Sequence, residues 1–278
     1  MCFYIKLENE NRVRLKYLYH ILKSVDLQSV NVQAGIPGLN RNDAYKIEIP
    51  LPPLSVQEEI VAEIESFQKI IGGARQVVEN YKPRIDIDPE WPMEELNNLC
   101  EVVRGSSPRP KDDSKYYGGN VPRLMVADIT RDGMYATHKI DFLTEEGAKK
   151  SRPMQKGSVI LTVSGNPGLP TILKVDTCIH DCFAGFRDLD IRKIRPEFLY
   201  FILLHFKEFY GSQSVGAVFQ NLNTDQIRKF KIPLPPLEIQ QQIVAQIEQE
   251  QELVKANKQI IKIFEQKIKD RIAKVWGE

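Results

Sequence analysis

Residues 49–65 read IPLPPLSVQEEIVAEIE, and residues 232–248 read IPLPPLEIQQQIVAQIE. The two stretches start 183 positions apart. That is too far for a solenoid, whose units recur every ~20–50 residues, and close to one domain plus a connector. The chain is therefore a domain-sized segment bracketed by two copies of one element. Proline lacks the backbone donor and has a locked φ, so Pro50, Pro52 and Pro53 form a stiff extended exit with a helix starting after them. Ser55, with Glu58 three residues on, makes a capping-box pattern. Apolar residues then fall at 56, 60, 64, 67, 71, 74, 78 and 81, a run of fours and threes that describes a coiled-coil seam, and Pro83 ends it. The second copy repeats the seam at 239, 243, 247, 254, 261, 264, 268, 272 and 275, with Glu250 and Asn257 interrupting it. Ile60, Ile64, Ile71 and Val78 on one helix are expected to pair with Ile243, Ile247, Val254 and Ile261 on the other. An apolar stripe on a long helix needs a partner. Antiparallel pairing within the chain is the expectation, and a parallel dimer through one helix is the alternative. Gly72-Gly73 is costly in mid-helix and implies a close crossing of backbones or a local break.

The duplication reaches further. Leu39-Asn40 matches Leu222-Asn223 at the same offset, and with a slip of two Tyr17–Leu22 matches Phe198–Leu203. Cys2-Phe3 echoes Cys182-Phe183, so residues 1–82 read as a copy of roughly 182–265. The expected organisation is a C-terminal remnant of a first globular domain at 1–48, a first helix at 49–83, a complete domain at 84–231 and a second helix at 232–278.

A formal net charge of +1 excludes a global positive field, so any nucleic-acid binding must use local patches. No apolar stretch approaches the ~20 residues of a membrane span, and MCFYIKLENENR has no basic region followed by an apolar run, so no secretory signal is expected. Cys178-Ile-His-Asp-Cys182 has two thiols and His180, but no second paired motif completes a metal cluster. Reduced, half-buried thiols on a strand of a cytoplasmic protein, with no metal, are the reading.

Residues 85–231 alternate short β-rich runs with Gly, Pro, Asn and Asp: Leu99–Val103, Val121–Val126, Ser158–Val163, Thr171–Val175 and Ile179–Phe183. Pro196–Phe209 has a helical pattern. The fold class is α+β: a mixed, strand-rich α/β domain plus two long helices forming an antiparallel coiled coil. Three loops carry polar chemistry. The first, Arg104–Lys111, joins three cations, two hydroxyls and a glycine, a set suited to phosphate contacts. The second is Ser164–Gly168, and the third is Phe219–Asn223. Asn and Gln can pair with adenine, and Arg with guanine. Candidate nucleic-acid contacts are Arg104, Ser106, Ser107, Arg109 and Lys111, then Ser164 and Asn166, then Gln220, Asn221 and Asn223. Turn chemistry competes with each loop, and the repeat at Leu39-Asn40 makes part of the third loop architectural. No Walker phosphate loop, nucleophile elbow, histidine constellation or paired carboxylate motif occurs, and no catalytic site is expected.

The doubled Ile-Pro-Leu-Pro-Pro-Leu-x-x-Gln-x-x-Ile-Val-x-x-Ile, each copy opening a long helix, resembles the specificity (S) subunit of type I restriction–modification enzymes. Glu90–Pro108 resembles the start of that family's target recognition domain, and Gly157–Gly168 and Phe219–Asn223 also fit. The resemblance implies a non-catalytic, cofactor-free subunit in which each recognition domain reads half of a split site in double-stranded DNA. Paired helices set the spacing. Methyltransferase (M) subunits, which use S-adenosylmethionine, and a motor/endonuclease (R) subunit are the implied partners. The departure is the first recognition domain, here only residues 1–48, which implies a truncated gene, a fragment, or a homodimer or pairing with a chain that supplies the missing domain. The competing functions are an orphan assembly protein that pairs through its helices, and the recognition part of a fused DNA methyltransferase.

Overall fold

The computed structural model describes residues 5, 7, 11–25, 45–210 and 223–277. The chain divides into two units, Met1–Tyr81 with Glu252–Glu278, and Lys82–Gln251.

In the second unit, β1 (Met93–Glu95) pairs antiparallel with β11 (Lys231–Pro233), which brings entry and exit of the domain together. A five-stranded sheet follows. Its strands are β2 (Glu101–Arg104), β10 (Phe183–Arg187), β7 (Val159–Thr162), β8 (Pro170–Leu173) and β4 (Tyr135–Ala136), in that spatial order. Neighbours are antiparallel except β8 and β4. A four-stranded sheet has the order β5 (Asp141–Leu143), β3 (Tyr117–Leu124), β9 (Thr177–Ile179) and β6 (Arg152–Met154). Side chains alternate across a strand, and the five-stranded sheet uses both faces. Val102, Val159, Leu161, Ile172 and Phe186 pack with Phe198, Phe201 and Ile202 of α5 (Pro196–Tyr210). Val103, Ile160, Leu173 and Phe183 pack with Leu124, Met154 and Ile179 of the other sheet. Burial on both faces explains why β7 reads as the unbroken apolar run VILT. Two short helices, α3 (Val126–Asp132) and α4 (Glu145–Lys150), connect strands. Another, α6 (Thr224–Arg228), rests on β2, where Arg228 Nη2 donates to Val102 O.

One expected strand differs. Ile179–Phe183 is the end of β9, a turn, and the start of β10. The turn closes on itself, because Phe183 N donates to His180 O and Cys182 N to His180 Nδ1.

The first unit is helical: α1 (Leu15–Ser24), α2 (Leu54–Asn80) and the last part of α7 (Leu237–Trp276). Tyr17 and Ile21 of α1 pack with Ile60, Val61 and Ile64 of α2, and Ile268, Ile272 and Val275 of α7 join them. Low positions on α2 meet high positions on α7, so the two run antiparallel: Glu63 pairs with Arg271 at 2.6 Å, and the Phe67 and Phe264 rings lie 5.3 Å apart. Ile71 is also buried, while Val78, Val254 and Ile261 are half-buried. Ile243 and Ile247 depart from the expected seam. They pack into the core of the second unit with Phe198 and Ile232, because the first turns of α7 belong to that domain.

Two local expectations also change. Ser55 and Glu58 form no capping box. The helix opens at Leu54 with Pro53 as its N-cap, and Arg14 Nε holds Glu58 at 2.7 Å. At Gly72 and Gly73 α2 runs on without a break, and a Cβ at either would meet nothing within 4 Å, so no backbone crosses there.

The internal repeat has a structural signature that periodicity did not show. Gln57 is fully buried; its Oε1 accepts from Arg14 N, and its Nε2 donates to Arg12 O and Pro52 O. Gln240 is fully buried too; its Oε1 accepts from Arg195 N, and its Nε2 donates to Lys193 O and Pro235 O. The partners correspond one for one along the repeat. Each carboxamide ties the start of a short apolar helix to the proline exit that launches a long one.

Candidate nucleic-acid interface

The registers of the five-stranded sheet place several chain turns in one row. Arg104, the last residue of β2, lies opposite Ala184; Thr162, the last of β7, lies opposite Phe183; Leu161 lies opposite Pro170, the first of β8. Loop 105–111, loop 163–169 and the 180–182 turn therefore leave the sheet at the same end. Hydrogen bonds knit them together. Gly105 N donates to Phe183 O, Ser106 N to Ile179 O and Val163 N to Cys182 O. Gly105 is required for this approach, since a Cβ there would lie 1.9 Å from His180 O.

The expected site residues that the structure describes each have a definite place. Arg104 is half-buried; its Nε donates to Asp181 O at 2.9 Å, and its carbonyl accepts from Arg152 Nε at 3.1 Å. The Ser106 hydroxyl donates to Lys150 O, and the Ser107 hydroxyl accepts from Arg123 Nη2 at 2.8 Å. Both hydroxyls thus shape the loop. Arg109 is 70% exposed and lies 3.5 Å from the Asp181 carboxylate, and Lys111 is exposed. Lys150 stands behind the loop, with its ammonium 4.5 Å from the Tyr116 ring.

In the second loop Ser164 is half-buried and Asn166 exposed. Asn166 Oδ1 accepts from Lys207 Nζ of α5 at 2.9 Å, and its carbonyl is held by the Thr162 hydroxyl. Burial lowers the Lys207 ammonium below the usual lysine range. Gln220 and Asn221 lie outside the described residues. Asn223 is the N-cap of α6: its side chain accepts from Gln226 N, and Gln226 Oε1 accepts from Asn223 N.

The structure adds residues that sequence spacing did not select. The 180–182 turn stands among the loops, and its Asp181 meets both Arg104 and Arg109. His180 Nδ1, the Asp181 carboxylate and Cys182 Sγ lie together, all half-buried. Burial lowers the His180 pKa, and Asp181 opposes that shift. Cys178, the other thiol of the sequence motif, is instead buried on β9, and burial pushes it up. The strand ends at Ile179, so Cys178 stays inside the sheet while Cys182 lies in the turn. His180 Nδ1 accepts from Cys182 N within the turn, and Asp181 engages Arg104 through its carbonyl and Arg109 through its carboxylate.

The family model for the type I restriction modification DNA specificity domain matches residues 1–80 and again 89–266. The chain belongs to this family. Similar proteins include a putative type I restriction enzyme MjaX specificity subunit from Methanocaldococcus jannaschii. It is 22% identical over 281 residues, which cover 88% of this chain and 63% of that one. The type I restriction enzyme EcoBI specificity subunit of Escherichia coli is 23% identical over 288 residues, covering 86% and 59%. The chain thus spans about three-fifths of the length of these relatives. Its fold is that of the HsdS subunit from Thermoanaerobacter tengcongensis, with a TM-score of 0.59 at 23% identity over 96% of this chain and 71% of that one. Among the described residues no helix is long and apolar enough to cross a membrane.

Proposed function

We propose that this specificity chain is a sequence-specific DNA-recognition subunit of a type I restriction–modification complex. It reads one half-site through the Lys82–Gln251 unit and docks methyltransferase and restriction subunits through its long helices. The observation that carries the reading is the meeting of loop 105–111, loop 163–169 and the 180–182 turn at one end of the sheet. Arg104, Arg109 and Lys111 stand there on a backbone held by hydrogen bonds. Cations of this kind supply phosphate affinity, and Arg and Asn side chains on a rigid loop supply base contacts. The names of the relatives, specificity subunits of type I restriction enzymes, support the same reading. The antiparallel helices of the first unit leave a groove of about 980 Å³ lined by Ile71, Ile268, Ile272 and Trp276, a surface on which a partner subunit can seat.

The test is selection from a randomised duplex pool with the full chain, followed by binding measurements across salt concentration. One motif should be enriched. Arg104→Ala or Arg109→Ala should weaken binding. Loss of a phosphate contact lowers affinity on every sequence and flattens the salt dependence, whereas loss of a base contact relaxes one position by ~1–3 kcal/mol. No enriched sequence, together with unchanged binding by both variants, would favour an assembly protein that does not read DNA.

A further inference from the structure

Among the described lysines and arginines, Arg123 alone is buried, at 4% exposure. It lies on β3, opposite Asp141 of β5 and beside Cys178 of β9. Its Nη1 pairs with Asp141 Oδ2 at 2.5 Å, and its Nη2 donates to Ser107 Oγ at 2.8 Å. The guanidinium sits 5.3 Å from the Tyr117 ring centroid, and the Tyr117 hydroxyl donates to Pro108 O at 2.7 Å. Its Nε is buried without a partner among the described residues. Desolvating a guanidinium is expensive unless it is paired, and an apolar side chain would pack the sheet at less cost. The arrangement instead spends the guanidinium on a bridge. One arm stays inside the four-stranded sheet, and the other reaches the loop that leaves the five-stranded sheet.

We propose that Arg123 is a positioning residue for DNA reading. It touches neither base nor phosphate; it holds Ser107, and with Tyr117 it holds Pro108, so that Arg104, Arg109 and Lys111 are presented in one geometry. This rests on the interface reading above. The planar fork is what permits the bridge, since it aims two N–H groups at once. Lysine supplies one compact charge, so Arg123→Lys keeps the Asp141 pair and gives up the Ser107 bond. Ser107→Ala removes the same bond from the other side, together with the 3.5 Å contact from Asp181 N, and leaves the Asp141 pair in place.

The experiment measures full-chain binding to the duplex enriched from a randomised pool and to a scrambled duplex, at several salt concentrations, with thermal melting in parallel. Ser107→Ala should lower the melting temperature by roughly 3–12 °C and leave the chain folded at the binding temperature. Ser107→Ala and Arg123→Lys should each lose about tenfold on the enriched duplex, the size of one misplaced base contact. Both should bind the scrambled duplex like the parent and with the same salt slope, because every exposed cation is still present. The double variant should be no weaker than Ser107→Ala alone, since that change already removes the bond that Arg123→Lys gives up. Parental affinity for the enriched duplex in Ser107→Ala, with Arg104→Ala impaired, would overturn the positioning role and leave the interface standing. Equal losses on both duplexes would also overturn it. Neutral behaviour of Ser107→Ala, Arg104→Ala and Arg109→Ala together would remove the interface itself.

Discussion

Replacing Gln240 by leucine tests the joint between the strand-rich domain and the long helix that leaves it. The side chain is fully buried, and its carboxamide makes three hydrogen bonds of 2.8–2.9 Å, to Arg195 N, Lys193 O and Pro235 O. Leucine fills similar space and satisfies none of them. Each lost bond costs about 1 kcal/mol net, and a buried donor or acceptor left alone costs more. Arg195 N stands at the start of α5, where no intrahelical acceptor is available. Offset by the apolar surface that leucine buries, the expected loss is about 3 kcal/mol. For a unit of this size that is a fall in Tm of roughly 6–12 °C. Gln240→Glu sharpens the test. It keeps an acceptor for Arg195 N but removes both donors and places a charge against two carbonyl oxygens, so it should cost at least as much at pH 7. Urea unfolding followed by circular dichroism gives the free energies, and amide exchange at the start of α5 locates the effect. Gln57→Leu should reproduce the loss in the first unit, where its three bonds correspond one for one. A change below about 0.5 kcal/mol in Gln240→Leu, or a Gln240→Glu variant more stable than Gln240→Leu, would refute the reasoning.

Acidification should destabilise the fold. Burial holds His20, His180 and His205 below the ordinary imidazole value of 6.5, so the unfolded chain takes up protons that the folded chain refuses. Their contribution is present above pH 6.5 and is lost as pH falls toward the depressed folded values. Urea midpoints should drop between pH 7.5 and 5.5, and His205→Gln, which keeps an acceptor for Ile85 N and cannot titrate, should flatten that slope; an unchanged slope would count against it. Gly72→Ala should raise the melting temperature by removing a helix-interior glycine worth up to ~1 kcal/mol, because a Cβ there meets nothing within 4 Å. A lower melting temperature would mean that the site is not open.

The duplicated proline exit and helix were legible because both rest on local chemistry. Proline cannot continue a helix interior, and a seam of fours and threes belongs to a helix that buries one stripe. The antiparallel pairing of α2 with the end of α7 followed from that pattern. What the pattern left open was which partner each stretch of the stripe meets. Ile243 and Ile247 continue the seam of α7 without a change of period, yet they complete the core around Phe198. An apolar residue does not record whether its neighbour is another helix or a domain.

The loops show the same division. Their composition marked Arg104–Lys111 and Ser164–Gly168 as polar turns, and the strand before each was readable as an apolar run. The roles of their side chains depended on contacts distant in sequence. Ser106, Ser107 and Asn166 have the residue types of a nucleic-acid contact, but Lys150, Arg123 and Lys207 engage them. The 180–182 turn was hidden inside a run that read as one strand, because His180 and Cys182 interrupt β-propensity only weakly. The sequence by itself determined the helices, their duplication and the strand-rich segment between them, since prolines and periodicity act within a few residues. Only the tertiary structure decided that the loops meet at one end of the sheet, because cross-strand register sets that meeting, and register is a property of residues far apart in the chain.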